Sequence, residues 1–340
     1  MNWDKSLRIV AGSFQLNALS VYCVIHNEMF FLPAFLDHYR SLGVKQFLFV
    51  DDCSTDGTLE YLIRQCDCIV LRSNLRFGEK VNGERVGPMW RNEIPHRYFR
   101  GQWAVSVDAD EFLRIPSGFS TLPQFLEALD ARGFDAVAAV MIDCYPETLA
   151  GFFDLGPPAT AKELFDRYPW FDRGPYIRWS AGEKRPKVIN GGVRERLFKQ
   201  YGISTRSYFK PSWTVLARRI RSLFGGDRNI QSIHKIPLVK WRSDRWYEHS
   251  HTLNAPPAAG LLLALSHYKF TGVLYQKIEH AVASGAYSGN SRLYHGYNHL
   301  LECMRQSNGG FMGEETEKFT SSKDFESAQL MWCDFGPTSG

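Results

Sequence analysis

Polar and apolar positions along this chain switch repeatedly between two periods. Residues 19–25 form an apolar, β-branched run that ends abruptly at His26-Asn27-Glu28. Such a run predicts a buried strand of a parallel sheet. Next, Phe31, Phe35, His38, Tyr39 and Leu42 fall three and four apart, the spacing of an amphipathic helix, and Gly43 supplies a C-terminal stop. A second strand over 45–50 ends at Asp51 and Asp52. Asp56-Gly57 then marks a turn, and Thr58 is an N-cap for a short helix over 59–64. A third strand is expected over 68–71, then a polar, Gly-containing loop over 73–87 and a helix from about 89 to 99. Residues 102–107 read as a fourth buried strand, and it runs straight into Asp108-Ala109-Asp110-Glu111. Residues 137–142 repeat the pattern and end at Asp143.

This alternation predicts an α/β fold with a mostly parallel, Rossmann-like sheet flanked by helices. Three strands end in polar or acidic pairs: Asn27 and Glu28, Asp51 and Asp52, Asp108 and Asp110. Open α/β sheets bind ligands at that edge. A strand that wants to be buried and a cluster of three carboxylates fit together only where something positive neutralises the acids. A divalent cation on a diphosphate does so, and aspartate oxygens suit Mg²⁺ or Mn²⁺. If the strand continued through Glu111, that side chain would point away from Asp110 and support the site rather than bind.

The second half is less regular. Residues 157–179, after Pro157-Pro158, are rich in Asp, Arg, Tyr, Trp and Pro and read as an aromatic loop region. Asn190-Gly191-Gly192-Val193-Arg194-Glu195-Arg196 sets a glycine pair beside a carboxylate and two arginines, and Leu197-Phe198 after it looks strand-like. Residues 213–224 form a basic amphipathic stretch that would suit an anionic membrane surface. His249 and His251 have metal-like spacing but no supporting cluster, and read as a loop pair. Leu265-Ser266-His267-Tyr268-Lys269-Phe270 ends another apolar run. Residues 277–305 read as helical, with Tyr287, Tyr294 and Tyr297 facing the cleft. From 307 onward Gly, Ser, Thr and charge predict an extended or poorly ordered tail.

Composition adds limits. The 340 residues are 44% hydrophobic and 22% charged, ordinary for one large or two medium domains. A net charge of +4 gives no argument for nucleic acid. Seven cysteines without a C-x-x-C pair read as reduced thiols of a cytosolic protein. No apolar run approaches the roughly 20 residues of a membrane span, and Met1 to Ser20 lacks a leader-like apolar region. The expected location is therefore cytoplasmic, with peripheral contact on the inner membrane face through 213–224. No G-x-G-x-x-G follows the first strand and no G-x-x-x-x-G-K-[ST] occurs, because Gly78, Gly83 and Gly87 are wrongly spaced. Phosphate must then be held otherwise, and a metal on Asp108-x-Asp110 is the obvious candidate, helped by basic residues such as Arg85 or Arg91.

The blocks His26-Asn27-Glu28, the run from Val50-Asp51-Asp52 to Asp56-Gly57-Thr58, Trp90-Arg91-Asn92, and Val107-Asp108-Ala109-Asp110-Glu111-Phe112-Leu113 resemble, in order and spacing, family 2-type glycosyltransferases of the GT-A fold. The D-A-D-E-F form resembles a branch related to family 92-type sugar transferases, and residues 20–145 carry the match. The resemblance implies that Asn27, Glu28, Asp51 and Asp52 hold a nucleoside and that Arg91 and Asn92 lie beside the nucleotide sugar. It further implies that Asp108 serves ribose and metal and that Asp110 is a metal ligand. The G-G-x-R-x-R block with Arg194 and the H-x-K-F ending are similar to the same branch, so His267 would complete the metal shell and Lys269 would face phosphate. An inverting transfer needs a carboxylate to take the acceptor proton. Glu195 is the first candidate, Asp143 the second and Asp244 the third. The implied partners are a nucleoside-diphosphate sugar, with a UDP-sugar favoured, and a glycan or lipid-linked acceptor, in bacterial surface or exopolysaccharide synthesis. On this reading 1–18 is an N-terminal extension, 19–145 the nucleotide-sugar half, 146–275 the acceptor half, and 276–340 a helical segment and tail. Two other readings stand beside it. One is a haloacid-dehalogenase-like phosphatase with Asp108 as nucleophile, against which three strands precede that motif. The other is a non-catalytic carbohydrate-binding protein of the same fold.

Overall fold

The structure, a computed structural model, describes residues 7–203, 232–284 and 292–337. The basic stretch 213–224 and Tyr287 lie outside the described residues. Ten strands build one sheet: β1 (Leu7–Ala11), β2 (Ser20–Ile25), β3 (Gln46–Asp51), β4 (Cys68–Ser73), β5 (Trp103–Ser106), β6 (Glu111–Arg114), β7 (Ala136–Asp143), β8 (His234–Lys240), β9 (Leu261–His267) and β10 (Trp332–Cys333). Their order is β1-β4-β3-β2-β5-β8-β7-β9-β10, with β6 also pairing β9. Strands β2, β3, β4, β5, β7 and β9 point one way, and β1, β6, β8 and β10 run against them. The fold is thus mixed α/β with a mostly parallel, Rossmann-like central sheet flanked by helices.

The apolar runs dictate this arrangement. Strands β3 and β7 are buried along their whole length, as strands covered on both faces must be. On one face lie α1 (Leu32–Ser41) and a helix over Leu122–Asp130, through Phe35, Tyr39, Phe125 and Leu129. On the other lies α2 (Val86–Tyr98), through Val86, Trp90 and Ile94. Gly43, at φ +94, ends α1 where the chain must turn left-handed, and a Cβ there would crowd Pro123 at 3.0 Å.

Strand β8 matters most for the site. It is wedged antiparallel between β5 and β7, with Lys240 opposite Trp103 and His234 opposite Val140. Its first residues therefore stand at the edge where the parallel strands end. Three further helices follow: α3 (Gly192–Gln200), α4 (Gly272–Ser284) and α5 (Arg292–Gln306).

Several expectations for the second half need correction. Leu197-Phe198 is not strand but helix. Val193 and Leu197, four apart, bury against the cluster around Tyr297 and Phe311, and Asn190 Oδ1 accepts from Gly192 N–H to start α3. Gly192 has φ +61, and a Cβ there would lie 2.7 Å from the Tyr176 ring. The 157–179 region holds a helix over Ala161–Arg167 and a strand over Trp170–Asp172. The tail is ordered: Thr316–Lys318 pairs with that strand, a capping box of Ser321 and Asp324 opens a helix, and β10 joins the sheet. Its polar residues serve as caps while Phe325, Leu330 and Met331 bury. No described helix is long and apolar enough to cross a membrane.

His38, on α1, is buried and faces the Leu113 carbonyl at 2.8 Å. Burial pushes its pKa down to about 3, and the Arg114 guanidinium adds to the effect. The folded state then binds fewer protons than the unfolded one. The stability involved is complete above the unfolded value near 6.5 and is lost as pH falls from there toward 3. Replacing His38 by Gln, which can still donate to Leu113, should remove that dependence. Denaturant unfolding at pH 7 and pH 5 should show wild type losing about 2 kcal/mol more than H38Q over that interval. Equal losses would mean that the imidazole titrates normally in the fold.

Candidate active site at the sheet edge

The carboxyl ends of the parallel strands and the start of β8 bring their polar residues to one edge. After Ser106 the strand stops. A turn carries the chain through Asp108 and Ala109, closed by Glu111 N–H donating to the Asp108 carbonyl at 3.1 Å, and β6 then runs back along β9. The alternation that would send Glu111 away from Asp110 is thus broken. Asp110, Glu111 and His267 each offer a ligand atom within 4.8 Å of the others. Two carboxylates and an imidazole are a donor set for a hard or borderline divalent cation. Glu111 is fully buried, and its Oε1 has no hydrogen-bond partner, as fits an oxygen waiting for a cation.

Asp108 is not among those three. Its carboxylate takes the Lys235 ammonium at 2.7 Å, and half of its side chain is exposed. Lys235 also reaches Glu111 at 2.5 Å. Burial works against charge on Asp108, but Lys235 and Arg91 outweigh it and hold the carboxyl below its ordinary range. Burial likewise opposes the Lys235 charge, yet Asp108 and Glu111 raise its pKa above the usual lysine value. Lys235 was missed in the sequence, where the stretch Ile233 to Val239 mixes apolar residues with His234, Lys235 and Pro237. The only signal was a lysine inside that run.

His267 lies between two carboxylates, with Nδ1 2.5 Å from Asp143 Oδ1 and Nε2 3.4 Å from Asp110 Oδ2. Burial opposes its charge, but the flanking acids raise its pKa to about 9. Asp110 is held well below the carboxylate range: burial works against its charge, and His267, Lys277 and Lys269 prevail. Asp143, at the end of β7, is buried, and the Arg194 guanidinium grips it through Nε and, at 2.8 Å, through Nη2. Burial raises its pKa, and Arg194 and His267 more than reverse that.

The earlier strand ends are stitched together. Asn27, at φ +57, accepts the Thr55 N–H at 2.7 Å through its side chain. Asp51 accepts from Ser54 N–H, Asp52 from Phe77 N–H, and Asp56 from Thr58 and Met29 N–H. Glu28 pairs with Lys277 of α4 at 2.9 Å. Asn92 spends both ends of its amide on the Tyr247 backbone. Arg91 lines a small cleft with Tyr22, Ser106, Asp108, Lys235 and Tyr247. Lys269 lines a second small cleft with Asp110, Thr271 and Lys277. Neither Arg91 nor Lys269 forms an ion pair among the described residues; Lys269 stands 5.9 Å from the ring centres of Tyr294 and Tyr297.

Glu195 is placed apart from the cluster. One step along α3 from Arg194, it faces a groove of about 1130 Å³ with Asn190, Arg196, Lys199 and Glu315, and it accepts the Gly191 N–H at 2.7 Å. Asp244 lies at the opposite edge of the sheet, bound to Arg242 and Arg245 beside Asp135 at the start of β7. It therefore stands away from the other acids. His251 bonds the His234 carbonyl at 2.8 Å at the tip of a hairpin, which accounts for it without a metal.

Arg194 and Asp143 are both buried, so removing the cation leaves a buried carboxylate with only His267 to answer it. R194M should lower unfolding free energy by about 3 kcal/mol in urea titrations, whereas an exposed pair such as Lys162–Asp166 should change it by well under about 1 kcal/mol in K162A. Similar small losses from both would show that the Arg194 pair is solvated.

No protein-family model and no curated protein matches the chain. Among solved structures, HddC from Yersinia pseudotuberculosis is 10% identical over 51% of this chain and 71% of its own, at a TM-score of 0.30. A putative glucose-1-phosphate thymidylyltransferase from Bacillus anthracis, in complex with a sucrose, is 9% identical over 57% and 77%, at 0.26. A UDP-glucose pyrophosphorylase from Acinetobacter baumanii is 12% identical over 92% and 91%, at 0.27. Likeness at this level says nothing of this chain's activity.

Proposed function

We propose that this chain is a metal-dependent glycosyltransferase that takes its sugar from a nucleoside-diphosphate donor. One observation carries the reading. The donor set of Asp110, Glu111 and His267 stands at the ligand-binding edge of a Rossmann-like sheet, and pockets on either side of it hold cations, Arg91 and Lys269, that have no ion-pair partner among the described residues. That is what a diphosphate needs: a divalent ion between its oxygens and positive charge beside them. The bound ion would stabilise the charge that develops on the leaving diphosphate as the glycosidic bond breaks.

The chain's own residues divide the remaining work. The stitched loops of Asn27, Glu28, Asp51 and Asp52 would shape the nucleoside site, and half-exposed Asp108 would serve the ribose. Asn92 positions Tyr247 and thereby the wall of the Arg91 pocket. Asp143 is a poor proton acceptor while Arg194 and His267 hold it ionised and paired. Glu195 is then the better base, and its polar groove would take the hydroxyl-rich acceptor, a glycan or the head of a lipid-linked sugar. The metal would be Mn²⁺ or Mg²⁺, and a UDP-sugar is the favoured donor.

Calorimetric titration with UDP, GDP and CDP, with and without Mn²⁺, tests this directly. One nucleotide should bind in a metal-dependent way, and D110A should weaken it by about 100-fold. Binding indifferent to Mn²⁺ and to D110A would sink the metal assignment. Nucleotide sugars should also hydrolyse slowly without any acceptor. Turnover of a generic aryl phosphate that D108N abolishes would point to a phosphatase instead.

A further inference from the structure

The acids of this cluster meet cations supplied by the chain itself, and Lys235 is bonded to two of them. Three carboxylates, Asp108, Asp110 and Glu111, stand among Lys235, His267, Arg91 and Lys269, of which Lys235 and His267 pair with them directly. The two remaining acids nearby each have a partner of their own, Glu28 with Lys277 and Asp143 with Arg194. Among the described residues, then, the acids of the cluster are matched by positive charge from the chain itself. Lys235 holds the central place. Its side chain is 7% exposed, and its ammonium bridges Asp108 Oδ2 and Glu111 Oε2. The same Oε2 also accepts the Asp108 N–H at 2.9 Å, so that half of the Glu111 carboxylate is saturated. The other half, Oε1, is buried without a partner on a residue of the metal group. One carboxylate thus serves an internal cation with one oxygen and is open to an external one with the other.

We propose that Lys235 is a built-in counter-cation that keeps the site from holding a divalent ion alone, so that ion and nucleotide diphosphate load together. This rests on the metal-dependent reading above. A dication on Oε1 would stand across one carboxylate from the Lys235 ammonium, and their repulsion weakens the hold of the site on the ion. The negative charge of a diphosphate offsets it. Lys235 also fixes the Glu111 carboxylate, so it orients a ligand while weakening the ion that the ligand binds. Its role is that of a positioning residue toward the metal.

The test is Mn²⁺ binding to the metal-free chain, by calorimetry and by the paramagnetic signal of free Mn²⁺, with and without UDP. Wild type should bind Mn²⁺ at least tenfold more tightly when UDP is present. K235Q, which keeps a donor but loses the charge, should bind Mn²⁺ alone at least tenfold more tightly than wild type, with a smaller further gain from UDP. K235R, which keeps the charge, should behave as wild type. A folded K235Q with unchanged or weaker Mn²⁺ binding overturns the role of Lys235 and leaves the metal reading intact. Wild type that never binds Mn²⁺, with UDP, GDP or CDP, removes both. Should K235Q not fold, tight Mn²⁺ binding by wild type without nucleotide overturns the proposal.

Discussion

Charge compensation at a buried sheet edge is the constraint from which the rest follows. Strands β2, β3, β5, β7 and β9 are apolar enough to be covered on both faces, yet each ends in, or runs directly into, a polar or acidic side chain at the same edge. Carboxylates so close to an apolar core are tolerated only with cations beside them. The fold supplies those from elements distant in sequence: Lys235 from β8, Arg194 from α3 and Lys277 from α4. Each of these elements is held in place by its own apolar contacts, so the packing of the second half is what makes the acids of the first half affordable.

The antiparallel strand β8 shows how topology and chemistry meet. A parallel strand in its place would have brought its last residues to the site. Running the other way, it brings its first ones, and a lysine that would be awkward inside a sheet stands at the rim between Asp108 and Glu111. Likewise, the short turn after Ser106 brings Asp110 and Glu111 to one place rather than to opposite faces. The donor set therefore depends on where a strand stops, by a margin of two or three residues.

Much of this was legible from the residues. The apolar runs and helical spacings of the first 145 residues gave the strands, the helices and the shared edge, because periods of two and 3.6 are local properties of the chain. Asp110 was legible as a candidate cation ligand because it follows an apolar run, whereas His267 entered only through the family resemblance; the fold sets both within reach of Glu111. The second half was harder. Arg194-Glu195-Arg196 sits on a helix that a glycine pair had disguised, and the tail's caps resembled disorder because Ser, Thr and Asp serve both. Nothing local to Glu111 told it apart from a supporting residue.

The sequence by itself determined the α/β class, the order of the strands along the chain and the acidic character of one sheet edge. These follow from hydrophobic periodicity and from where polarity interrupts it. Only the tertiary structure decided which acids share a cation, that Lys235 is one of the cations, and that Glu195 and Asp143 stand in separate surroundings. The reason is that ion pairing depends on a few ångströms of separation between residues far apart in the chain, 127 positions for Lys235 and Asp108 and 249 for Lys277 and Glu28. No local pattern carries that distance.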